Sequence, residues 1–144
     1  MRHDFHRVGV LLFIEIGGKV MLIKRKNTGY RDGWYCLSGG HLDIGERITD
    51  AAAREAEEEL GIRMHKSGLR LVNTIHKLEK GKSAIIFTFR LRTWRGTIRN
   101  AEPDKCSEIG WYRPDLLPKR TIPYVRQVIK NIRNNVSYSE YGWK

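Results

Sequence analysis

Cysteine and proline are scarce in this chain, and no apolar run approaches the ~20 residues of a membrane span. The two cysteines, Cys36 and Cys106, lie far apart and belong to no CxxC or Cys/His cluster, so neither a disulfide framework nor a zinc site is indicated. The four prolines and fourteen glycines are scattered, which argues against a linker, a repeat or a low-complexity segment. The opening MRHDFHR lacks the apolar core of a signal peptide, so the expected location is cytoplasmic, with no membrane association. At 144 residues and 40% apolar content, the chain suits a single domain over residues 1–144.

Acidic residues are the other shortage: 16 Asp and Glu stand against 27 Lys and Arg, a net charge of +11. Such a surface attracts phosphates, nucleotides or nucleic acid without choosing among them. The acids are also gathered. Between Gly40 and Ile62 there are seven, against Arg47 and Arg54, a net −5 that leaves +16 on the rest. A basic body with one acidic element suggests a cation held between the protein's carboxylates and a phosphorylated ligand; charge alone weighs a solvated acidic helix equally.

Val8 to Ile16 and Val20 to Lys24 are apolar, β-branched and separated by Gly17-Gly18, which predicts a β-hairpin. Asn27 to Gly33 is turn-rich, and Trp34 to Leu37 offers a short strand leading into Ser38-Gly39-Gly40. Thr49 is placed to cap a helix of about three turns, with Asp50 in its first turn and Gly61 just past its end. Leu69 to Leu78 and Ser83 to Trp94 predict a second hairpin across Glu79–Lys82, and Glu108 to Tyr112 a further short strand. Ile122 to Ile132 carries Val125, Val128, Ile129 and Ile132 on one helical face, with Pro123 in its first turn. The aromatic tail Tyr138 to Trp143 is suited to docking on the body or on a second subunit. The expected class is α/β.

At about 100° per residue, Glu55, Glu58 and Glu59 share one helical face. Like charges at such spacings destabilise a helix by a few tenths of a kcal/mol per pair, and a bound hard cation reverses that sign. Mg²⁺ takes one or two carboxylates and completes its octahedron with waters and phosphate oxygens, so the spacing fits a Mg²⁺ site facing a phosphorylated ligand.

The same residues sit in a longer pattern: Gly40, five residues, Glu46, seven residues, then Arg54-Glu55-Ala56-Glu57-Glu58-Glu59-Leu60-Gly61-Ile62. It resembles the Nudix box, GX5EX7REUXEEXGU with U apolar, and matches all seven fixed positions. Chance agreement at a given start is about one in 10⁸. Ala56 stands where the family has a bulkier aliphatic. Trp34 to Gly40 (WYCLSGG) resembles the family's strand into the box, with no proline at Ser38 or its neighbours where the family usually has one, and Glu102 to Pro118 is similar to a later strand and turn of members that cleave nucleoside triphosphates.

The resemblance to the Nudix (MutT-type) hydrolase family implies a mixed β-sheet sandwiched between helices (α/β/α). It implies that the Gly40 carbonyl, Glu55, Glu58 and Glu59 bind divalent metal, two or three Mg²⁺ with Mn²⁺ as a substitute. It further implies that one glutamate activates the attacking water, Glu55 first and Glu108 second. Arg54 pairs with a carboxylate, Glu46 or Glu55. Arg25 is a candidate phosphate ligand, and Tyr30, Trp34, Tyr35 and Trp111 are candidates for stacking on a base, each against the alternative of ordinary surface or core duty. His41, directly after Gly40, is placed to touch solvent or substrate.

The implied reaction is hydrolysis of a diphosphate linkage in a nucleoside-diphosphate-X substrate, foremost a canonical or damaged (d)NTP cleaved to monophosphate and pyrophosphate. Removal of diphosphate from an RNA 5′ end is the second reading, favoured by the +16 outside the box. The third is a nucleotide-binding regulatory domain without catalysis. Monomer and homodimer are both compatible with the sequence.

Overall fold

A computed structural model describes residues 6–144. Its elements are β1 (Arg7–Phe13), β2 (Glu15–Ile16), β3 (Lys19–Arg25), β4 (Tyr35–Cys36), β5 (Ser38–His41), α1 (Ile48–Leu60), β6 (Leu69–Glu79), β7 (Lys82–Leu91), β8 (Cys106–Tyr112), α2 (Pro123–Arg133) and β9 (Tyr138–Tyr141). The larger sheet has the order β5-β1-β7-β6-β9, with β1–β7 and β6–β9 parallel and the other pairs antiparallel. The smaller sheet joins β2, β3 and β4, with β8 paired to β3. Helix α1 packs on β5 and β1, and α2 on β6. The expected mixed sheet between helices is present, divided into two pieces. No helix among the described residues is long and apolar enough to cross a membrane.

The first expected hairpin is drawn differently. β1 is covered on both faces and is buried continuously from Val10 to Phe13. The chain leaves the larger sheet after Phe13, and only Glu15–Ile16 turns through Gly17-Gly18 onto β3. Ile14 stays tied to the second sheet, its carbonyl accepting from Met21 N at 3.0 Å. This crossover puts Val10, Phe13, Ile14, Met21 and Leu22 into one core between the sheets.

Helix α1 also begins earlier than Thr49. Arg47 is the N-cap residue and caps with no side chain, so Thr49 lies within the first turn. The turn just before it sets the start: Glu46 N donates to Asp43 O at 3.1 Å and Asp43 N to the Glu46 carboxylate at 3.0 Å. Gly61 ends the helix in the left-handed region at φ 66°, as its position in the sequence required.

The aromatic tail docks on its own body, as β9 beside β6. Trp143 Nε1 donates to His76 O at 2.9 Å, and its ring lies 4.6 Å from the His76 ring. Gly142 makes this possible: its φ is +82°, and a Cβ there would stand 2.0 Å from Leu78 O. Gly142→Ala should therefore detach the tail without unfolding the body. Hydrogen exchange should show lost protection at the β9 amides with β7 unchanged; β9 protection equal to wild type would refute this docking.

Candidate active site

The buried face of α1 is Ala51, Ala52, Ala56 and Leu60, three of them alanines, so the helix axis comes close to β5 and β1. This accounts for Ala56, fully buried at the box's apolar position. The close approach also needs Gly40, and the pairing of β5 with β1 needs Gly39. A Cβ on Gly39 would lie 2.0 Å from Val10 O, and one on Gly40 would lie 2.3 Å from Glu55 Oε1. The Glu55 carboxylate thus rests where a Gly40 side chain would be, against the backbone whose carbonyl is the expected metal ligand.

Three glutamates of α1 meet different partners. Glu55 is buried, and its Oε1 accepts from Arg54 Nη1 at 2.9 Å. Glu58 is exposed and accepts from the same nitrogen at 3.3 Å. Glu59 is partly buried; one oxygen accepts from Ser38 Oγ at 2.9 Å and from Gly39 N at 2.7 Å. Arg54 itself is clamped by Glu46, Nε at 2.8 Å and Nη2 at 3.0 Å, a bidentate pair, and Nη2 also donates to His41 O at 3.1 Å. One guanidinium therefore answers Glu46, Glu55 and Glu58, beyond the single partner expected for it.

Burial pushes the Glu55 carboxyl above its ordinary range, and Arg54 pulls it partway back. Glu59 is pushed up to about 8, first by burial and then by the charge of Glu55, against the lowering effect of Ser38 and Gly39. Two carboxylates held at such cost to their charge are poised for a cation. Among the described residues no three acidic side chains converge to hold one ion as they stand. The donor set still fits a hard divalent ion: every candidate ligand is an oxygen, and such an ion takes one or two carboxylates and leaves other positions to water and phosphate.

A cavity of about 540 Å³ opens beside this helix, from Gly40 and His41 to Tyr30, Lys77 and Tyr124. Its lining carries five cations, Arg7, Arg25, Lys77, Lys80 and Lys82, against the single acid Glu79, so it suits an anionic ligand. Tyr30 donates to Glu79 at 2.7 Å, and Lys77 Nζ sits 3.9 Å above the centre of the Tyr124 ring.

The family model described as NUDIX domain matches residues 5–132. The chain belongs to the NUDIX family. It is 29% identical to a MutT NUDIX hydrolase from Burkholderia pseudomallei, with a TM-score of 0.79 over 88% of this chain and 98% of that one. It is 28% identical over 82% of its length to the human 8-oxo-dGDP phosphatase NUDT18, and 26% identical over 79% to the NAD-capped RNA hydrolase NudC of Citrobacter koseri. These alignments cover 35% and 42% of the two relatives, so the chain spans well under half the length of either.

Against the Nudix pattern, the box residues Gly40, Glu46, Arg54, Glu55, Glu58 and Glu59 come together, and Arg25 and Tyr30 line the adjoining cavity. Arg25 spends its donors on the loop, Nε to Tyr30 O at 2.7 Å and Nη2 to Thr28 Oγ1 at 3.0 Å. Trp34, Tyr35 and Trp111 do not line this cavity. Trp34 packs on the core beneath Arg31, Trp111 stands opposite the buried Met21, and Tyr35 donates to Glu108 beside Tyr112. Glu108 is exposed on β8 and faces Tyr35 rather than α1.

The acid that does stand near α1 is Glu102, absent from the expected set. Its loop is tied to the helix end, Ala101 N donating to Glu59 O at 3.0 Å, and its charge helps raise both Glu55 and Glu59. Nothing in its local sequence marks it, because a long loop brings it there. Lys77 and Glu79 were legible: they continue the alternation that buries Asn73 and Ile75, so two charges stand in an inward register.

The raised Glu59 gives a signed pH dependence. Its unfolded carboxyl ionises in the ordinary range near 4.5, while the folded one holds its proton to about 8, so the metal-free fold loses stability as pH rises across that interval. His41, held below its usual value by burial, acts the opposite way only at the acid end. In EDTA, melting temperature should fall from pH 6.5 to 8.5, and Glu59→Gln should flatten the slope. A wild-type profile no steeper than that of Glu59→Gln would contradict the assignment.

Proposed function

We propose that this Nudix domain is a Mg²⁺-dependent hydrolase of a diphosphate linkage in a nucleoside-diphosphate-X substrate, foremost a canonical or damaged (d)NTP released as monophosphate and pyrophosphate. The observation that carries the reading is that Gly40, against which the Glu55 carboxylate rests, lines a cationic cavity of about 540 Å³, large enough for a nucleoside. The names of the human and Citrobacter relatives support hydrolysis at a phosphorylated nucleotide, and that of the Burkholderia protein supports a hydrolase.

A bound divalent ion supplies charge neutralisation on the phosphate oxygens and acidifies a bound water. Glu55, Glu58, Glu59 and the Gly40 carbonyl would hold it. This chain's residues do the rest. Ser38 and Gly39 fix one oxygen of Glu59 and leave the other to a ligand. Arg54, anchored on Glu46, orients Glu55 through Oε1, and Glu55 takes the proton of the attacking water. Water oxygen bonds to phosphorus, the bridging P–O bond breaks, and its electron pair leaves with the departing phosphate group. Arg7, Lys80 and Lys82 on the cavity lining attract the anionic substrate, and Arg25, held by its loop, adds its charge.

Lys80, Lys82 and Arg7 on the cavity lining favour a second reading, an RNA 5′ end as substrate. Turnover of RNA through several phosphates would weaken steeply with salt, whereas turnover of a mononucleotide would not.

The test is incubation with Mg²⁺ and a panel of (d)NTPs, oxidised dGTP, ADP-ribose and triphosphorylated RNA. Monophosphate should form, and Glu58→Gln should lose about two orders of magnitude or more, the several kcal/mol of charge stabilisation at stake. Turnover of nothing in the panel, with nucleotide still bound, would leave only the regulatory reading. Ser38→Ala removes one of the donors on Glu59, and should weaken Mg²⁺ binding by roughly tenfold in direct titration with the fold intact. Unchanged affinity would show that Gly39 N alone holds Glu59.

A further inference from the structure

Of the two half-buried cations on the cavity lining, Arg25 bonds to its own loop, while Lys77 has no hydrogen-bond acceptor among the described residues. Its nearest acid is Glu79, at 4.0 Å, beyond hydrogen-bonding distance. That carboxylate already accepts from the Tyr30 hydroxyl at 2.7 Å and faces Arg31 at 3.8 Å. The ammonium is held by aromatic faces, 3.9 Å from the centre of Tyr124 and 5.3 Å from that of Tyr30. It keeps three N–H donors for whatever enters the cavity. Burial pulls its pKa down, with Glu79 opposing, which is the condition of a charge lacking solvent.

Its place in the sheet says which part of a ligand it meets. Gly40 is paired with Val10, Val10 with Phe87, and Phe87 with Thr74, so three strand spacings of ~4.8 Å separate Gly40 from Thr74. Lys77 is three residues further along β6, about another 10 Å. The two displacements are perpendicular and combine to roughly 17 Å between the backbones of Gly40 and Lys77, a span that a nucleoside with its phosphates covers together with the lysine stem, so a substrate whose phosphates lie at Gly40 presents its base to Lys77.

We propose that Lys77 is a specificity-determining residue that donates to a carbonyl oxygen on the substrate's base, selecting oxo bases over amino bases. Guanine and uracil or thymine carry a carbonyl oxygen at the position where adenine and cytosine carry an amino group. An ammonium is a donor only, so it pairs with the carbonyl and leaves an amino group facing it unpaired. Tyr30 and Tyr124 hold the Lys77 stem, and Glu79 neutralises the cluster while fixing Tyr30. This inference rests on the nucleotide reading above, at the same site.

The test measures kcat and KM for GTP, ITP and UTP against ATP and CTP, in wild type and Lys77→Met, with melting curves for both. Methionine keeps the stem over the tyrosines and removes the donors. Wild type should favour the oxo bases roughly tenfold or more. Lys77→Met should raise KM for GTP, ITP and UTP by a similar factor with kcat unchanged, because the contact is equally strong in ground and transition states. ATP and CTP should be unaffected, and Lys77→Arg should retain the preference in part. Equal losses on all five nucleotides would overturn the proposal, indicating a phosphate contact or a collapsed wall, as would a wild-type preference for ATP and CTP.

Equilibrium dialysis of GMP, UMP, AMP and CMP against Glu58→Gln protein, with and without Lys77→Met, reads the same preference without turnover. An oxo preference in dialysis alongside no turnover of any nucleotide would sink the hydrolase reading and sustain this one. Failure to bind any of the four monophosphates, or binding without base preference, would overturn it.

Discussion

Electrostatic repulsion among the α1 carboxylates is the constraint to which the rest of the site answers. Glu55, Glu58 and Glu59 share a face, and two of them lose much of their hydration on folding. A helix chosen for stability would carry no such cluster. The fold tolerates it because each carboxylate has been given a donor: Arg54 for Glu55 and Glu58, Ser38 and Gly39 for Glu59. Those donors in turn dictate geometry. Arg54 must be anchored at its far side by Glu46, which fixes the turn from Asp43 to Glu46 and hence where α1 begins. Gly39 can reach Glu59 only if the helix lies close to β5, which requires alanine at 51, 52 and 56 and no side chain at 40.

Much of this was legible in the sequence because it is local. The box runs continuously from Gly40 to Ile62, and helical periodicity alone puts its glutamates on one face. The second hairpin and α2 were equally plain, each having one apolar face of regular period. What could not be read depends on distant chain segments. The break after Phe13 goes with the bond of the Ile14 carbonyl to Met21 in the second sheet, a partner that the residues around Phe13 and Ile14 do not reveal. The location of Glu102 follows from the loop after β7 returning to the end of α1. Trp34, Tyr35 and Trp111 show the converse: an aromatic residue near a motif in sequence says little about which face of a strand it occupies, and here Trp34 and Trp111 pack against the core and Tyr35 packs beside Tyr112.

Ser38 shows how a departure from a family pattern acquires meaning only in three dimensions. Proline at that position could offer no donor, whereas serine, fully buried, gives its hydroxyl to Glu59. A buried hydroxyl without that partner would be costly, and a partly buried carboxylate without that donor would be more so. The serine and the glutamate therefore support each other, and the substitution reads as an adjustment of the site rather than as drift in a loop.

The distribution of charge follows from the same constraint carried outward. A cluster of acids beside a substrate that is itself a polyanion would repel what it must bind, unless positive charge stands both between them and around them. Arg54 supplies the first from within the helix, and the cavity lining supplies the second in Arg7, Arg25, Lys77, Lys80 and Lys82. These cations differ in how much of their bonding is already spent. Arg25 is committed to the Thr28–Tyr30 loop and Arg54 to three carboxylates, so both are positioning groups whose charge acts at a distance. Lys77, held over tyrosine rings and given no acceptor among the described residues, keeps its hydrogen-bonding capacity for a ligand. The net charge of +11 is thus compatible with many anionic partners, while selectivity belongs to the half-buried cation whose donors the fold has left unused.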